Sequence, residues 1–177
     1  MEWSKLIVLI ERHTIAGAAA AAAEGGAAAV AATAWMLPTA EALFDEAIKC
    51  GWDGENGGGL CYTYGEDGKH LDKNKYYWAM AEMLGASGLL AVRTGKAHYR
   101  EWYERGWRYA LKHFVDVERG GWFPMVNADH VRTDTHAKPG HTGLPVKSYP
   151  SKTDYHALAA CYEVHRALSA ATEGSND

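Results

Sequence analysis

The stretch NKYYWAMAEMLGASGLLAVRTGKAHYREWYERGWRYALKHFV, residues 74–115, contains two helix-length segments on either side of one glycine. The first segment covers about residues 74–93 and ends at Gly95, and the second covers about residues 98–115. Glycine just beyond the last helical residue is a frequent stop, because it adopts the left-handed conformation without a steric cost. The two segments therefore predict an αα-hairpin.

Three further helices are predicted outside this hairpin. The first covers residues 2–13. Its helical spacing comes from Leu6, Leu9, Ile10 and His13. The second begins after Pro38, with Thr39 as a candidate N-cap, and stops at Gly51. The last covers about residues 152–171 at the C-terminal end of the sequence.

An alanine-rich segment, residues 16–34, lies between the first two of these helices and contains Gly17, Gly25 and Gly26. Such a low-complexity stretch is typical of a frayed helix or of a lengthened loop. We interpret it as an insertion within a single domain that covers residues 1–177. The segment predicts no function.

Glycine-rich segments follow helices at two comparable places along the chain. Residues 60–64 lie between the glycines of 57–59 and those of 65–68, which predicts a short strand entering a tight turn. Residues 120–126 resemble a second short strand. Helical hairpins joined on one face by such loops are the arrangement of an α/α toroid. The predicted fold class is therefore all-α, with short β-hairpins in the loops.

The composition, with 47% hydrophobic and 23% charged residues over 177 positions, is typical of a soluble globular protein. The formal net charge is −4 and no basic run exceeds a pair, so we do not expect a nucleic-acid partner. The apolar run of residues 6–10 is too short to span a membrane. Cys50, Cys61 and Cys161 match neither a disulfide framework nor a paired zinc motif, which favours a cytoplasmic location.

Trp78 and Glu82 lie four residues apart, so a carboxylate shares one face of its helix with apolar side chains. Because a buried acid needs a partner, one interpretation is that Glu82 pairs with a Lys or Arg of a neighbouring helix. The other is that Glu82 binds hydroxyl groups in a cleft. Seven Trp and ten Tyr, against three Phe, favour a polar cleft lined by aromatic rings.

Asp154, Tyr155 and His156 open the last helix behind a long polar loop. A histidine at this place can transfer a proton near neutral pH, and it can also be a structural hydrogen-bonding residue. Ser151 or Thr153 as N-cap explains the polar cluster without any chemistry. The residues alone leave both interpretations open.

Glu2 and Trp3 repeat the pairing of a carboxylate with a tryptophan near the N-terminus, although a terminal glutamate is usually solvated. Three loop histidines, His130, His136 and His141, match no zinc-binding spacing. We interpret them as solvated loop residues, and we predict no metal site.

Taken in order, six motifs along most of the chain resemble those of the N-acylglucosamine 2-epimerase superfamily. They are MEWSKLIVLIERH from Met1, GGGLCYTYGEDGK from Gly57, WAMAE from Trp78, TGKAHYREWYERGWRYALKHFVD from Thr94, GGWF from Gly120 and KTDYHALAACYEV from Lys152. The resemblance implies a six-hairpin α/α barrel, of which this chain covers the C-terminal half. It also implies an isomerase or 2-epimerase of mannose- or glucose-type or N-acylated hexosamine sugars that needs no cofactor.

The same resemblance implies roles for individual residues. His156 falls on the catalytic histidine of the family, which moves a proton at sugar C1 and C2 through a cis-enediol. Glu82 and Trp78 fall on a cleft-lining W-x-x-x-E motif, with Tyr155 as a second ring against the sugar. Glu2 falls on the glutamate of an H-x-x-E-W motif and is expected to act in catalysis, by holding sugar hydroxyls or helping to open the ring.

The chain departs from the family pattern, and these departures leave alternatives open. The histidine of H-x-x-E-W would lie before Met1, and the first half of the barrel is absent, so a non-catalytic fragment that binds a sugar or a partner subunit is a second hypothesis. A half barrel exposes apolar helix faces, which favours a homodimer. Lys152 is a further candidate for substrate binding. A third hypothesis is an inverting glycosidase with Glu82 and Asp154 as its acid and base.

Overall fold

The computed structural model of the chain describes residues 1–21, 25–133 and 155–173, and within these ranges it is mostly helical. The helices are α1 (Glu2–Ala21), α2 (Gly25–Thr33), α3 (Met36–Gly51), α4 (Tyr77–Thr94), α5 (Ala97–His113) and α6 (Tyr155–Glu173). The strands are β1 (Thr63–Tyr64), β2 (His70–Asp72), β3 (Lys75–Tyr76), β4 (Met125–Val126) and β5 (Arg132–Thr133). None of these helices combines the length and the apolar character that a membrane crossing requires.

The predicted αα-hairpin is confirmed as α4 and α5. Gly95 ends α4 with a φ of 70°, and its N–H donates to the carbonyl of Ala91 at 2.9 Å. Gly106 permits a close approach of the two helices, because a Cβ there would lie 3.0 Å from Leu84. Residues 80–90 of α4 are all buried, which makes α4 the central helix, packed by α1, α5 and α6.

Helix boundaries differ from the predicted ones in the N-terminal half. The helix predicted over residues 2–13 continues to Ala21, and the described residues of the alanine-rich segment are helical up to Thr33, where α2 ends and a turn follows. Helix α3 begins at Met36 rather than after Pro38, because proline is tolerated in a first turn, where its missing N–H has no intrahelical partner. Thr39 is not an N-cap, since its hydroxyl donates to the carbonyl of Trp35 at 2.7 Å.

The buried face of α1 is not the one that its apolar spacing indicates. Ile10 is 49% exposed and His13 is exposed as well. The buried positions of α1 instead include three polar side chains, Ser4, Lys5 and Glu11. Each has a partner, because the Ser4 hydroxyl donates to a backbone carbonyl of α3 and the other two form ion pairs with α4.

Helices α1, α4 and α6 run in parallel. Lys5 of α1 contacts Glu82 near the start of α4, and Glu11 contacts Arg93 near the end of α4. Contacts between α4 and α6 also follow increasing residue numbers in both helices, because Glu82 is bound to His156 and Gly88 packs against Val164. The N-terminal ends of the three helices therefore lie together at one edge of the molecule.

The strands form two small sheets in the loops, as the sequence predicts. β1 and β2 form a hairpin, and β3, β4 and β5 form an antiparallel sheet in that order. Lys75 pairs with Val126 and Tyr76 with Met125, so the sheet joins the entry of α4 to the chain that follows α5. The strand predicted over residues 60–64 is formed only at its end, by β1.

Substituting Gly88 by alanine is expected to lower the free energy of unfolding by about 1–3 kcal/mol, because the core is overpacked there. The added Cβ would lie 2.6 Å and 2.9 Å from the two methyl carbons of Val164. The matched control is Gly17→Ala in α1, where the added Cβ meets nothing within 4 Å and which is expected to stabilise by up to about 1 kcal/mol. Urea unfolding followed by circular dichroism measures both, and equal effects would contradict the packing argument.

Substituting Lys5 by methionine is expected to lower the free energy of unfolding by about 3 kcal/mol, since Glu82 would lose the cation that compensates its buried charge. The double variant Lys5→Met/Glu82→Met is expected to recover most of this loss. Lys49→Met, at an exposed pair with Glu46, is the control and should unfold like the parent chain. If the double variant lost the sum of the free energies of unfolding lost by the two single variants, Lys5 and Glu82 would not be coupled.

Candidate active site

A cleft of about 250 Å³ opens where the N-terminal ends of α1 and α4 meet the β1 hairpin. The side chains that define its chemistry are those of Glu2, Trp3, Tyr62, Tyr64, Trp78 and Glu82. Two carboxylates and four aromatic rings thus converge on one concavity. Such a lining suits a ligand that has both hydroxyl groups and apolar C–H faces.

Glu82 is 1% exposed, and its carboxylate contacts a cation of a neighbouring helix. Lys5 Nζ donates to Glu82 Oε1 at 2.7 Å and lies 2.6 Å from Oε2. The contact with Oε2 is ionic without an aligned hydrogen bond, so Oε2 has no hydrogen-bond donor among the described residues. The prediction that Glu82 pairs with a Lys or Arg of another helix is therefore confirmed.

His156 reaches the same carboxylate from the first turn of α6. Its Nδ1 lies 2.8 Å from Glu82 Oε1, and its side chain is 27% exposed. An ionised carboxylate can only accept, so Nδ1 carries a proton, and in the neutral imidazole Nε2 is the nitrogen with the lone pair. In this arrangement a buried acid fixes the tautomer of a partly exposed imidazole, whose neutral form can accept a proton at Nε2.

Aromatic rings surround His156 on several sides. The centroid of its ring lies 5.9 Å from that of Trp78, 6.2 Å from that of Tyr77 and 5.0 Å from that of Tyr155. Trp78 is half-buried and lines the cleft, whereas Tyr155 is 74% exposed. The role of Tyr155 as a second ring against a sugar stays a prediction.

Of the remaining predicted site residues, one lies in the cleft and the others lie outside the described residues. Glu2 is exposed in the first turn of α1 and lines the cleft together with Trp78 and Glu82. Lys152 and Asp154 lie outside the described residues. So do Ser151 and Thr153, the candidate N-caps of the last helix.

Of the three loop histidines, His136 and His141 lie outside the described residues. His130 is described, and it is not a solvated loop residue of the expected kind. Its Nδ1 accepts a hydrogen bond from the hydroxyl of Tyr109 at 2.7 Å, and its Nε2 contacts the carbonyl of Asn56. It has a φ of 61°, and these two contacts hold it in that left-handed conformation.

Asp53, Cys61 and His70 form a group whose ligand atoms lie within 4.8 Å of one another, a cluster that the sequence did not indicate. Lys75 Nζ already lies 2.9 Å from Asp53 Oδ2, and His70 Nε2 lies 2.9 Å from the carbonyl of Cys50. Burial alone would raise the pKa of Asp53, but the hydrogen bond and charge of Lys75 outweigh it and hold that pKa below its ordinary value. A metal ion would have to displace this ammonium group, so the cluster fits an ion pair better than a metal site.

Sequence analysis missed Lys5 and two tyrosines, Tyr62 and Tyr64, as members of the site. Lys5 stands alone as a cation among the apolar residues that follow it in α1, which is a signal that a buried acid lies opposite. The alternation of Tyr62 and Tyr64 within the predicted strand places both rings on one side, but nothing local indicates which cleft they face.

Residues 1–160 match the family model of N-acylglucosamine 2-epimerase (GlcNAc 2-epimerase). A D-mannose isomerase of Marinomonas mediterranea is 31% identical to the chain over 168 residues, which cover 95% of this chain and 36% of that protein. A D-mannose isomerase of Thermobifida fusca is 30% identical over 161 residues, which cover 90% of this chain and 33% of that protein. The chain therefore spans about a third of the length of these relatives.

Solved structures give the same result for the fold. The crystal structure of a D-mannose isomerase aligns with a TM-score of 0.71 at 30% identity, covering 93% of this chain and 35% of that one. A cellobiose 2-epimerase from Spirochaeta thermophila aligns with a TM-score of 0.55 at 17% identity, over 92% of this chain and 38% of that one, which shows a shared fold alone. Because the family match covers residues 1–160 of 177, the chain belongs to the N-acylglucosamine 2-epimerase family.

Proposed function

We propose that the chain carries the proton-transfer half of a sugar isomerase or 2-epimerase site, with His156 as the general acid and base. The observation that carries this proposal is the imidazole of His156, fixed by the buried carboxylate of Glu82 beside an aromatic cleft. Its Nε2, which has no partner among the described residues, is the base, and its ring stays partly exposed, so a bound sugar can approach it.

The reaction requires removal of a carbon-bound proton. Nε2 of His156 takes the proton from C2 of an open-chain aldose, and the electron pair forms a cis-enediolate. Return of that proton to C1, with transfer of the O2 hydroxyl proton to O1, gives the ketose. The 2-epimer forms when the enediolate first turns its other face of C2 to the protonated imidazole and then takes the proton back. The base is regenerated in both cases, so no further reactant is consumed.

Two features support stabilisation of the developing negative charge. The N-terminal ends of α1 and α4 line the cleft, and that of α6 adjoins it through the contact of His156 with Glu82, so each contributes partial positive charge there. The ammonium group of Lys5 lies behind Glu82 and compensates its charge, so the carboxylate does not oppose an enediolate at full strength. Fixed charges of this kind stabilise a transition state without reorganisation.

Binding of the sugar falls to the other members of the cleft. Glu82 lines the cleft, and we assign its carboxylate to a hydroxyl of the sugar. Glu2 offers a second carboxylate, and Trp78 offers a flat apolar surface for the C–H face of a pyranose ring. Tyr155 and Lys152 are proposed as further substrate contacts from the start of α6 and the residues before it.

The substrate class follows from the relatives. Two of them are D-mannose isomerases, so a mannose-type hexose is the first candidate, and an N-acylated hexosamine, named in the family description, is the second. We extend the proposal to the fold, with α1 and α3, α4 and α5, and α6 as parts of an α/α barrel.

Two alternatives differ in what supports them. A non-catalytic chain that binds a sugar or a partner subunit is favoured by one observation, namely that the chain spans about a third of its relatives. The inverting-glycosidase hypothesis needs Glu82 and Asp154, of which only Glu82 lies in the described part of the chain. Glu82 is ion-paired with Lys5, which does not favour a role as a proton-donating acid.

Proton NMR in D₂O of the chain with mannose is the decisive measurement. We expect deuterium to enter C1 or C2 and fructose or glucose signals to appear, because Nε2 exchanges its proton with solvent between the two transfers. His156→Gln is expected to slow this exchange by at least about a hundredfold, the range of general acid–base catalysis. The control, His13→Gln, changes an exposed histidine at the middle of α1 and should exchange like the parent chain.

Exchange that persists in His156→Gln would contradict the assigned base. Sugar binding without exchange in the parent chain, seen as a change of tryptophan fluorescence, would favour the non-catalytic alternative. Release of a free sugar from a mannoside, with no exchange at C1 or C2, would favour the glycosidase.

A further inference from the structure

A second cleft, of about 210 Å³, lies between α5 and the loop after α3 and shares no lining residue with the cleft that contains Glu82. Four basic side chains of α5 line it, and the loop after α3 contributes Gly57 to the opposite wall. The basic residues are Arg105, Arg108, Lys112 and His113. The protein as a whole carries a net charge of −4 with histidines neutral, so the positive charge of Arg105, Arg108 and Lys112 is a local concentration.

The spacing of these residues places their charges together. Arg105, Arg108 and Lys112 are three and four residues apart, so they follow one face of the helix. Arg108 has an ion pair with Glu104 at the long distance of 3.8 Å, and the guanidinium of Arg105 stacks over the ring of Trp102 at 4.6 Å. Within residues 1–21, 25–133 and 155–173, no carboxylate forms an ion pair with Arg105 or Lys112.

The end of α5 does not account for these charges. Cations near a helix C-terminus usually compensate its unpaired carbonyl groups. Here that role belongs to Arg132, whose Nε donates to the carbonyl of His113 at 3.0 Å and whose Nη2 donates to that of Lys112 at 3.3 Å. Arg132 therefore satisfies the helix end and adds one more positive charge beside the cleft.

The response of His113 is consistent with a positive local potential. Burial is the largest cause that lowers the pKa of His113, and the charges of Lys112 and Arg132 lower it further. The positive potential of Lys112 and Arg132 at this place favours a bound anion.

The wall opposite α5 is held in a fixed shape. His130 contacts the hydroxyl of Tyr109 and the carbonyl of Asn56, and it lies behind Gly57, where a Cβ would come within 3.4 Å of its ring. Gly58 has a φ of 100°, and a Cβ there would lie 2.8 Å from Trp52. A concave and pre-formed cleft loses little freedom when a ligand binds.

We propose that this cleft is a binding site for a multivalent phosphate-type anion, held by Arg105, Arg108 and Lys112. Guanidinium groups match the geometry of phosphate oxygens in paired hydrogen bonds, and a lysine adds a point charge. Arg105 and Lys112 have no ion pair within the described ranges, which distinguishes this cleft from the first one, whose lining carries two carboxylates. The proposal is independent of the sugar chemistry at His156.

Titration calorimetry with inorganic pyrophosphate, at an ionic strength held constant with NaCl, tests the proposal. We expect saturable binding at one site and a change in tryptophan fluorescence, because Trp52 lines the cleft. Arg108→Gln and Lys112→Gln are each expected to weaken binding about tenfold or more, as the loss of a charge-assisted hydrogen bond would. Lys69→Gln is the matched control, since it removes one exposed positive charge outside the cleft and should leave binding unchanged.

A second arm with glucose 6-phosphate identifies the source of the phosphate. Tighter binding than that of pyrophosphate, lost in Arg108→Gln, supports the site with a phosphorylated sugar as its ligand. Tighter binding of pyrophosphate than of glucose 6-phosphate, also lost in Arg108→Gln, supports the site with a free oligophosphate as its ligand. The absence of saturable binding in both arms overturns the proposal, and so does equal weakening by Lys69→Gln, which would show general attraction to a charged surface.

Discussion

The buried carboxylate of Glu82 joins three helices, and the geometry of the cleft depends on it. A carboxylate that is 1% exposed is unstable without compensation, and the ammonium group of Lys5 supplies that compensation from α1. The imidazole of His156 binds the same oxygen atom as Lys5 and brings the start of α6 to the same point. One interaction thus fixes the relative position of α1, α4 and α6 and also selects the tautomer of the proposed base.

Local sequence signals were sufficient for the central hairpin, because both its helices and its stop at Gly95 depend on neighbours in the chain. They were insufficient for α1, where the hydrophobic pattern indicated a face containing Ile10 and His13. The face that is buried contains Lys5 and Glu11, whose burial depends on partners in α4. A pattern that counts only apolar residues cannot find a buried stripe that consists partly of ion pairs.

The same limit applies to the site. Trp78 and Glu82 could be placed on one face from their spacing of four, and the burial of Glu82 followed from the apolar residues around it. The partner of Glu82 lies 77 positions away in the sequence, and no local rule identifies it. The motif resemblance assigned His156 to the catalytic histidine of the family and Glu82 to its W-x-x-x-E motif. The hydrogen bond of 2.8 Å between the two side chains gives a physical reason why both belong to one site.

One short segment, residues 57–64, forms part of both clefts and links their shapes. Gly57 lies in the wall of the basic cleft, whereas Tyr62 and Tyr64 lie in the wall of the cleft that contains Glu82. The segment is anchored between them, because the N–H of Asp53 donates to the carbonyl of Gly59 at 2.9 Å and Asp53 is held by the fully buried ammonium group of Lys75. Because this anchor is buried and ion-paired, it holds the two walls in fixed positions, so one short segment sets the shape of both clefts.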